Sequence, residues 1–142
     1  MQHEPEICNC AALRQASRVV TNLYDGALAP VGLGVNQYSI LARLRAMGPS
    51  TLSDLAARLV TDRSTLGHLL RPLQRRGLLK VTTGKKDRRE RLLSLTPSGE
   101  ALLRRARPLW SAAQHKFETA FGKEEALQLR ATLRALTNSA FQ

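Results

Sequence analysis

A chain of 142 residues, 43% of them hydrophobic, has room for one packed domain and too little for two independent ones. Its 22 Lys+Arg against 11 Asp+Glu leave a formal charge of +11, which calls for an anionic partner such as nucleic acid or an acidic membrane surface. No run reaches the roughly 20 apolar residues of a membrane span, and the start MQHEPEICNC lacks the basic and apolar segments of a secretory signal, so a cytoplasmic protein with no membrane partner is expected.

Cys8 and Cys10 are one residue apart, poor geometry for an internal disulfide, and are expected to be reduced thiols. His3, His68 and His115 form no zinc-type spacing with them, so neither a metal nor another cofactor is expected. No nucleophile, base and orienting group stand together, which argues against an enzyme.

Residues 1–7 are polar and expected to fray. Asn9 is placed to cap a helix over 9–29, with Leu13, Ala16, Val20, Leu23 and Ala27 at three- and four-residue intervals, until Pro30, Gly32 and Gly34 break it. A second helix over 35–47 puts Tyr38, Leu41, Leu44 and Met47 on one face before Gly48-Pro49. Thr51, followed by Asp54, opens a short third helix buried through Leu52, Leu55, Ala56 and Leu59. Thr61 or Asp62 caps a fourth, whose apolar stripe is Leu66, Leu69, Leu70 and Leu73. Its outer face is left to Arg63, Ser64, Thr65, Gly67, His68 and Arg71, and Pro72 is expected to bend its last turn. Two short helices with a tight connection, the second polar outside, have helix-turn-helix geometry.

After Gly77 come two apolar runs, Leu78, Leu79, Val81 and Leu92, Leu93, Leu95, either side of the basic segment GKKDRRER. A helix followed by two short strands around a basic tip is a winged-helix pattern, and such a tip favours phosphate. Pro97 suits the first turn of a fifth helix carrying Leu102, Ala106, Leu109, Ala113, Phe117 and Phe121, with a kink expected at Pro108. Gly122 precedes a sixth helix over 124–140 with Leu129, Leu133, Leu136 and Ala140 on one side. The outer helices carry more apolar surface than one winged helix can cover, which implies pairing with a second copy. The expected fold is mainly α with a small β-wing: a winged helix-turn-helix of six helices in one domain, 1–142. Its DNA-binding region is 35–96, and its dimerisation helices lie within 9–30 and 97–141.

The chain resembles the MarR family of bacterial transcriptional regulators over essentially its whole length. DRRERLLSLTPSG, residues 87–99, is similar to the family's wing signature: Asp, any residue, Arg, then a strand leading into Leu-Thr and a Gly three residues later. LSDLAARLVTDRSTLGHLLRPLQRRGLL is similar to its two-helix reading head, although Gly67, His68 and Arg71-Pro72 depart from the usual residues there. The resemblance implies a homodimer that binds a double-stranded DNA operator, most commonly as a repressor.

The residues give the same partner independently. Ser64 and Thr65 lie in a first helical turn, where side chains and free N–H groups meet phosphates or base edges, and Arg63, His68 and Arg71 reach further along a major groove. Arg89 at the wing tip suits a narrow minor groove, with Asp87 placed to orient it. Lys85, Lys86, Arg88 and Arg91 are expected phosphate partners. A nonspecific nucleic-acid-binding protein would share this charge; the dimerising helices and the Asp87/Arg89 pair favour sequence-specific recognition of duplex DNA.

Two switches are open. Residues 10–38 resemble, without a gap, the family's organic-hydroperoxide sensors: Cys10 falls on their reactive cysteine, Tyr24 on one of two tyrosines that hydrogen-bond it, and Arg14 on the other. A cation one turn away favours a thiolate. The alternative is a small aromatic or phenolic acid effector between the dimer helices and the winged helix, with Arg14, Arg18, Tyr38, Trp110 and His115 as candidate contacts.

Overall fold

The computed structural model describes residues 4–139 and 141. A one-turn helix α1 (Glu4–Ile7) leads into α2 (Asn9–Leu28), a 3-10 turn (Ala29–Val31), α3 (Val35–Met47), α4 (Leu52–Leu59) and α5 (Arg63–Arg75). Strands β1 (Leu79–Thr83) and β2 (Arg91–Leu95) follow, then α6 (Pro97–Phe121) and α7 (Lys123–Thr137). The segment expected to fray is therefore helical from Glu4. The cap of α2 is Cys8 rather than Asn9, its Sγ accepting the Ala11 N–H at 3.5 Å.

The central helices begin where capping chemistry dictates. The Thr51 hydroxyl accepts the Asp54 N–H at 3.1 Å, and Asp62, not Thr61, caps α5 by accepting the Thr65 N–H at 2.7 Å. Asp25 on α2 accepts the Val35 N–H at 2.7 Å, satisfying an otherwise free donor of α3 and fastening that helix to its predecessor. The helix α5 continues through Pro72 to Arg75, and α6 through Pro108 to Phe121. Pro72 removes one intrahelical hydrogen bond, yet the fully buried Leu73 beside it and the buried Leu70 hold the last turn in place. The last helix starts at Lys123 and ends at Thr137, short of the expected stop, while Ala140 lies outside the described residues.

Strands β1 and β2 are antiparallel, with Leu79 opposite Leu95, Val81 opposite Leu93 and Thr83 opposite Arg91. Ser50, just before α4, adds a short third rung: it exchanges backbone hydrogen bonds of 3.0 and 2.8 Å with Leu93. Its hydroxyl donates to the Gly48 carbonyl at 2.7 Å, which satisfies a buried polar group.

One core joins these elements: Leu28 from α2, Ile40, Leu41 and Leu44 from α3, Leu55 from α4, Leu66 and Leu73 from α5, Leu93 from β2, and Leu103 and Ala106 from α6. Each buried Leu or Ile contributes about 1.5–3 kcal/mol of transfer free energy. The outer stripes are covered only in part. Val19 on α2 is 71% exposed, Phe121 at the end of α6 51% and Leu127 on α7 54%; Leu13, Leu133 and Leu136 are exposed as well.

Candidate nucleic-acid interface and effector cleft

The outer face of α5 is built by its cap and stripe. With Leu66, Leu70 and Leu73 turned into the core, Arg63, Ser64, Thr65, His68 and Arg71 are all exposed. Asp62 takes both polar groups of Thr65, its N–H at 2.7 Å and its hydroxyl at 2.8 Å. These bonds, that from the Thr65 backbone foremost, hold the Asp62 carboxyl below the usual carboxylate range. The Thr65 hydroxyl proton is thus directed to Asp62, which leaves the hydroxyl oxygen available as an acceptor.

The wing tip is a tight turn with its cations outward. The Gly84 N–H donates to the Glu90 carbonyl at 2.8 Å, and the Glu90 N–H to the Asp87 carbonyl at 3.1 Å. A Cβ on Gly84 would lie 2.7 Å from that same Asp87 oxygen, so only glycine closes the turn this way. Asp87 Oδ1 accepts the Arg89 backbone N–H at 3.0 Å, whereas the Arg89 Nε is 3.7 Å away on a side chain that is 97% exposed. The backbone bond is the well-formed one; the ion pair is open to solvent and worth under about 1 kcal/mol. Asp87 therefore shapes the turn that presents Arg89, and leaves the guanidinium free to swing. Lys85, Lys86, Arg88 and Arg91 are exposed around it.

At its base the wing is fastened to α6. The Thr96 hydroxyl donates to the Gly77 carbonyl at 2.6 Å and accepts the Gly99 N–H at 3.0 Å, so one side chain closes the strand pair and caps the helix. A Cβ at Gly99 would sit 2.2 Å from the Leu78 carbonyl oxygen, which is why the helix needs glycine there.

Residues 33–90 match the MarR family. The transcriptional regulator MosR of Mycobacterium tuberculosis, solved in complex with DNA, is 36% identical, with 94% of this chain and 96% of that one covered and a TM-score of 0.84. This chain belongs to the MarR family. CouR from Rhodococcus jostii RHA1, solved bound to p-coumaroyl-CoA, is 26% identical over 99% of both chains with a TM-score of 0.79. The organic hydroperoxide resistance transcriptional regulator of Bacillus subtilis is 29% identical over 97 residues, 68% of this chain and 66% of that protein. The chain spans about half the length of another curated relative, 46% of the regulator Hpr from Exiguobacterium sibiricum, at 34% identity and 61% of its own length. The small wing on a mainly helical body is the MarR winged helix-turn-helix, and these relatives are transcriptional regulators, not enzymes.

In this MarR-family chain a cleft of about 970 Å³ opens between α3 and α6. Tyr38 and Trp110 stack in its wall, ring centroids 5.9 Å apart and planes 13° apart. Burial raises the Tyr38 hydroxyl above its ordinary pKa, with Arg107 pulling the other way. Of the five residues expected at an effector site, Tyr38 and Trp110 line this cleft, and Arg14, Arg18 and His115 are not among its lining residues. Both arginines are exposed on α2, and the exposed His115 has its Nε2 3.5 Å from Thr119 Oγ1. The cations of the cleft are instead Arg43, Arg45, Arg104 and Arg107. Arg107 and Trp110 are one helical turn apart, a spacing that carries this signal once a facing helix is assigned.

The expected contact between Cys10 and Tyr24 does not occur within the chain. Both are on α2, and fourteen residues of helix separate them by about 21 Å. The Tyr24 hydroxyl donates to Gln114 Oε1, Gln114 Nε2 to Glu118 Oε1 at 3.4 Å, and Arg130 lies 3.6 Å from Glu118, a polar chain from α2 through α6 to α7. Burial first, then Glu118, raises the Tyr24 pKa, offset in part by Arg130. Cys8 and Cys10 are both exposed.

Proposed function

We propose that the protein is a homodimeric repressor that reads a palindromic operator in duplex DNA with α5 and the wing, and leaves it when a small aromatic ligand binds. The observation that carries this reading is the pairing of an exposed polar helix face with a glycine-closed, five-cation wing tip on one core. The DNA-bound relative at 36% identity supports it. Arg63, Ser64, Thr65, His68 and Arg71 enter the major groove, Arg89 the minor groove, and Lys85, Lys86, Arg88 and Arg91 contact phosphates, while Asp87 holds the tip's shape. The region 35–96 thus reads DNA, and 9–30 with 97–141 pair two copies. Their uncovered Leu13, Val19, Phe121, Leu127, Leu133 and Leu136 favour that pairing. Among the described residues no helix is long and apolar enough to cross a membrane, consistent with work in the cytoplasm.

The cleft at Tyr38 and Trp110 is the effector site in this reading, supported by CouR, which is solved with p-coumaroyl-CoA. Ligand binding changes the spacing of the two reading heads and so their fit to DNA. Footprinting tests the core claim: two protected half-sites about one helical turn apart, resistant to scrambled competitor, are expected. Equal competition by scrambled DNA would instead identify a nonspecific nucleic-acid-binding protein. Light scattering gives the oligomeric state, and a monomer would remove the palindrome.

A second reading is favoured by the exposure of both cysteines and by the likeness to an organic hydroperoxide resistance transcriptional regulator: a thiol sensor using Cys10, with Tyr24 reaching it only from a second copy. Operator release by cumene hydroperoxide that persists in Cys10→Ser excludes sensing through that thiol.

A further inference from the structure

The charge of the cleft goes beyond what a simple aromatic acid requires. Four arginines, Arg43, Arg45, Arg104 and Arg107, line it, and among the described residues no Asp or Glu does. Arg104 pairs with Glu100 at 3.9 Å with both side chains open to solvent, so this pair leaves the guanidinium available. One benzoate-type group neutralises one of the four charges. It also fills a small part of about 970 Å³, which lies at the upper end of ligand pockets. Guanidinium pairs are suited to phosphate, whose oxygens accept two parallel N–H bonds from each fork. The half-buried Trp110, with the buried Tyr38 ring stacked on it, gives the cleft an aromatic wall against which a second ring can pack.

We infer that the cleft takes an organic diphosphate carrying an aromatic ring, with Arg104 and Arg107 on α6 and Arg43 and Arg45 on α3 gripping the phosphates while the ring lies against Tyr38 and Trp110. The inference rests on the effector reading of this cleft and names its ligand class. A nucleoside diphosphate and the nucleotide end of a coenzyme A thioester share this chemistry.

Titration calorimetry of the intact protein with ADP, coenzyme A, inorganic pyrophosphate and 4-hydroxybenzoate tests it, with operator release followed separately by fluorescence anisotropy. One site per chain is expected for ADP or coenzyme A, tighter than for pyrophosphate or 4-hydroxybenzoate. Tighter coenzyme A than ADP points to the thioester source, and the reverse to a nucleotide. The double variant Arg104→Ala/Arg107→Ala should weaken that binding about tenfold or more. Arg107→Lys should lose part of it, and Arg105→Ala, an exposed cation of α6 outside the cleft, none. Circular dichroism and melting temperature establish that each variant is folded. Binding that is indifferent to the double variant, or a preference for 4-hydroxybenzoate, overturns the inference. So does a double variant that loses DNA affinity while keeping ADP, because those arginines then belong to the operator contact. Diphosphate binding without operator release leaves the ligand class standing and removes the effector reading; release by 4-hydroxybenzoate alone does the opposite.

Discussion

The guanidinium of Arg76 donates to the carbonyl of Gly32 at 2.7 Å and to that of Val31 at 3.3 Å. Arg76 is the C-cap of α5, and residues 31–32 belong to the turn between α2 and α3. One side chain thus ties the end of the reading helix to the junction between the outer helix and the winged helix. Arg76→Ala should lower unfolding stability by about 1 kcal/mol, the scale of a solvent-accessible charged hydrogen bond, and should reduce the effect of any effector on DNA binding. Urea titration and anisotropy with and without ligand check both, and a variant with unchanged coupling would make Arg76 a local brace only.

Arg89→Ala should weaken operator binding by about 1–3 kcal/mol and leave the dimer intact. Asp87 separates two roles. Because it chiefly accepts the Arg89 N–H, Asp87→Asn keeps the acceptor, removes a negative charge and should bind DNA at least as well as wild type, while Asp87→Ala loosens the turn and binds less. An Asn variant as weak as the Ala variant would show that the carboxylate charge orients Arg89 after all.

Gly99→Ala should destabilise by about 1–3 kcal/mol, since its Cβ would be 2.2 Å from the Leu78 carbonyl oxygen and α6 or the strand must shift. A urea midpoint within error of wild type would mean that the helix start adjusts freely.

The Asp62 carboxyl is held below its ordinary 3.8 by the hydrogen bonds from Thr65. A depressed folded-state pKa adds stability above the unfolded value and loses it as pH falls through the folded one. The stability advantage of wild type over Asp62→Ala should therefore be constant near neutral pH and fade only below about pH 4. An advantage that already fades between pH 8 and 6 would point to another titrating group.

Operator affinity should fall steeply with salt, with log K falling by about 0.9 per phosphate contact for each decade of salt. A flat dependence measured by anisotropy between low and physiological salt would argue against phosphate contact through the wing.

Local patterns carried much of the fold. The bounds of α3 follow from Gly34 and Gly48 with the Tyr38, Leu41, Leu44 spacing between them, and the start of α6 from Thr96-Pro97. The wing was legible because a basic run between two apolar ones has few other homes. What escaped was made by residues far apart in sequence. The Ser50 bridge to Leu93, the hold of Arg76 on Gly32 and the link from Tyr24 to Gln114 each join distant segments, and no periodicity encodes them. The cleft's arginines were missed for the same reason: Arg43 and Arg107 are ordinary surface cations until α3 and α6 are set side by side. Pro72 does not end α5, which runs on to Arg75 with Leu70 and Leu73 buried on either side of the proline.

The wing is clamped at its root, by Ser50 on one strand and by Thr96 with Gly99 where that strand turns into α6, while the hydrogen bonds of residues 85–89 among the described residues stay within their own local turn. A change of length at the tip therefore costs the fold less than one at the root, although it gives up the turn that presents Arg89. Relatives descended from this chain can vary in wing length while the step from Thr96 to Gly99 stays fixed, so that reach along DNA changes without the domain being rebuilt.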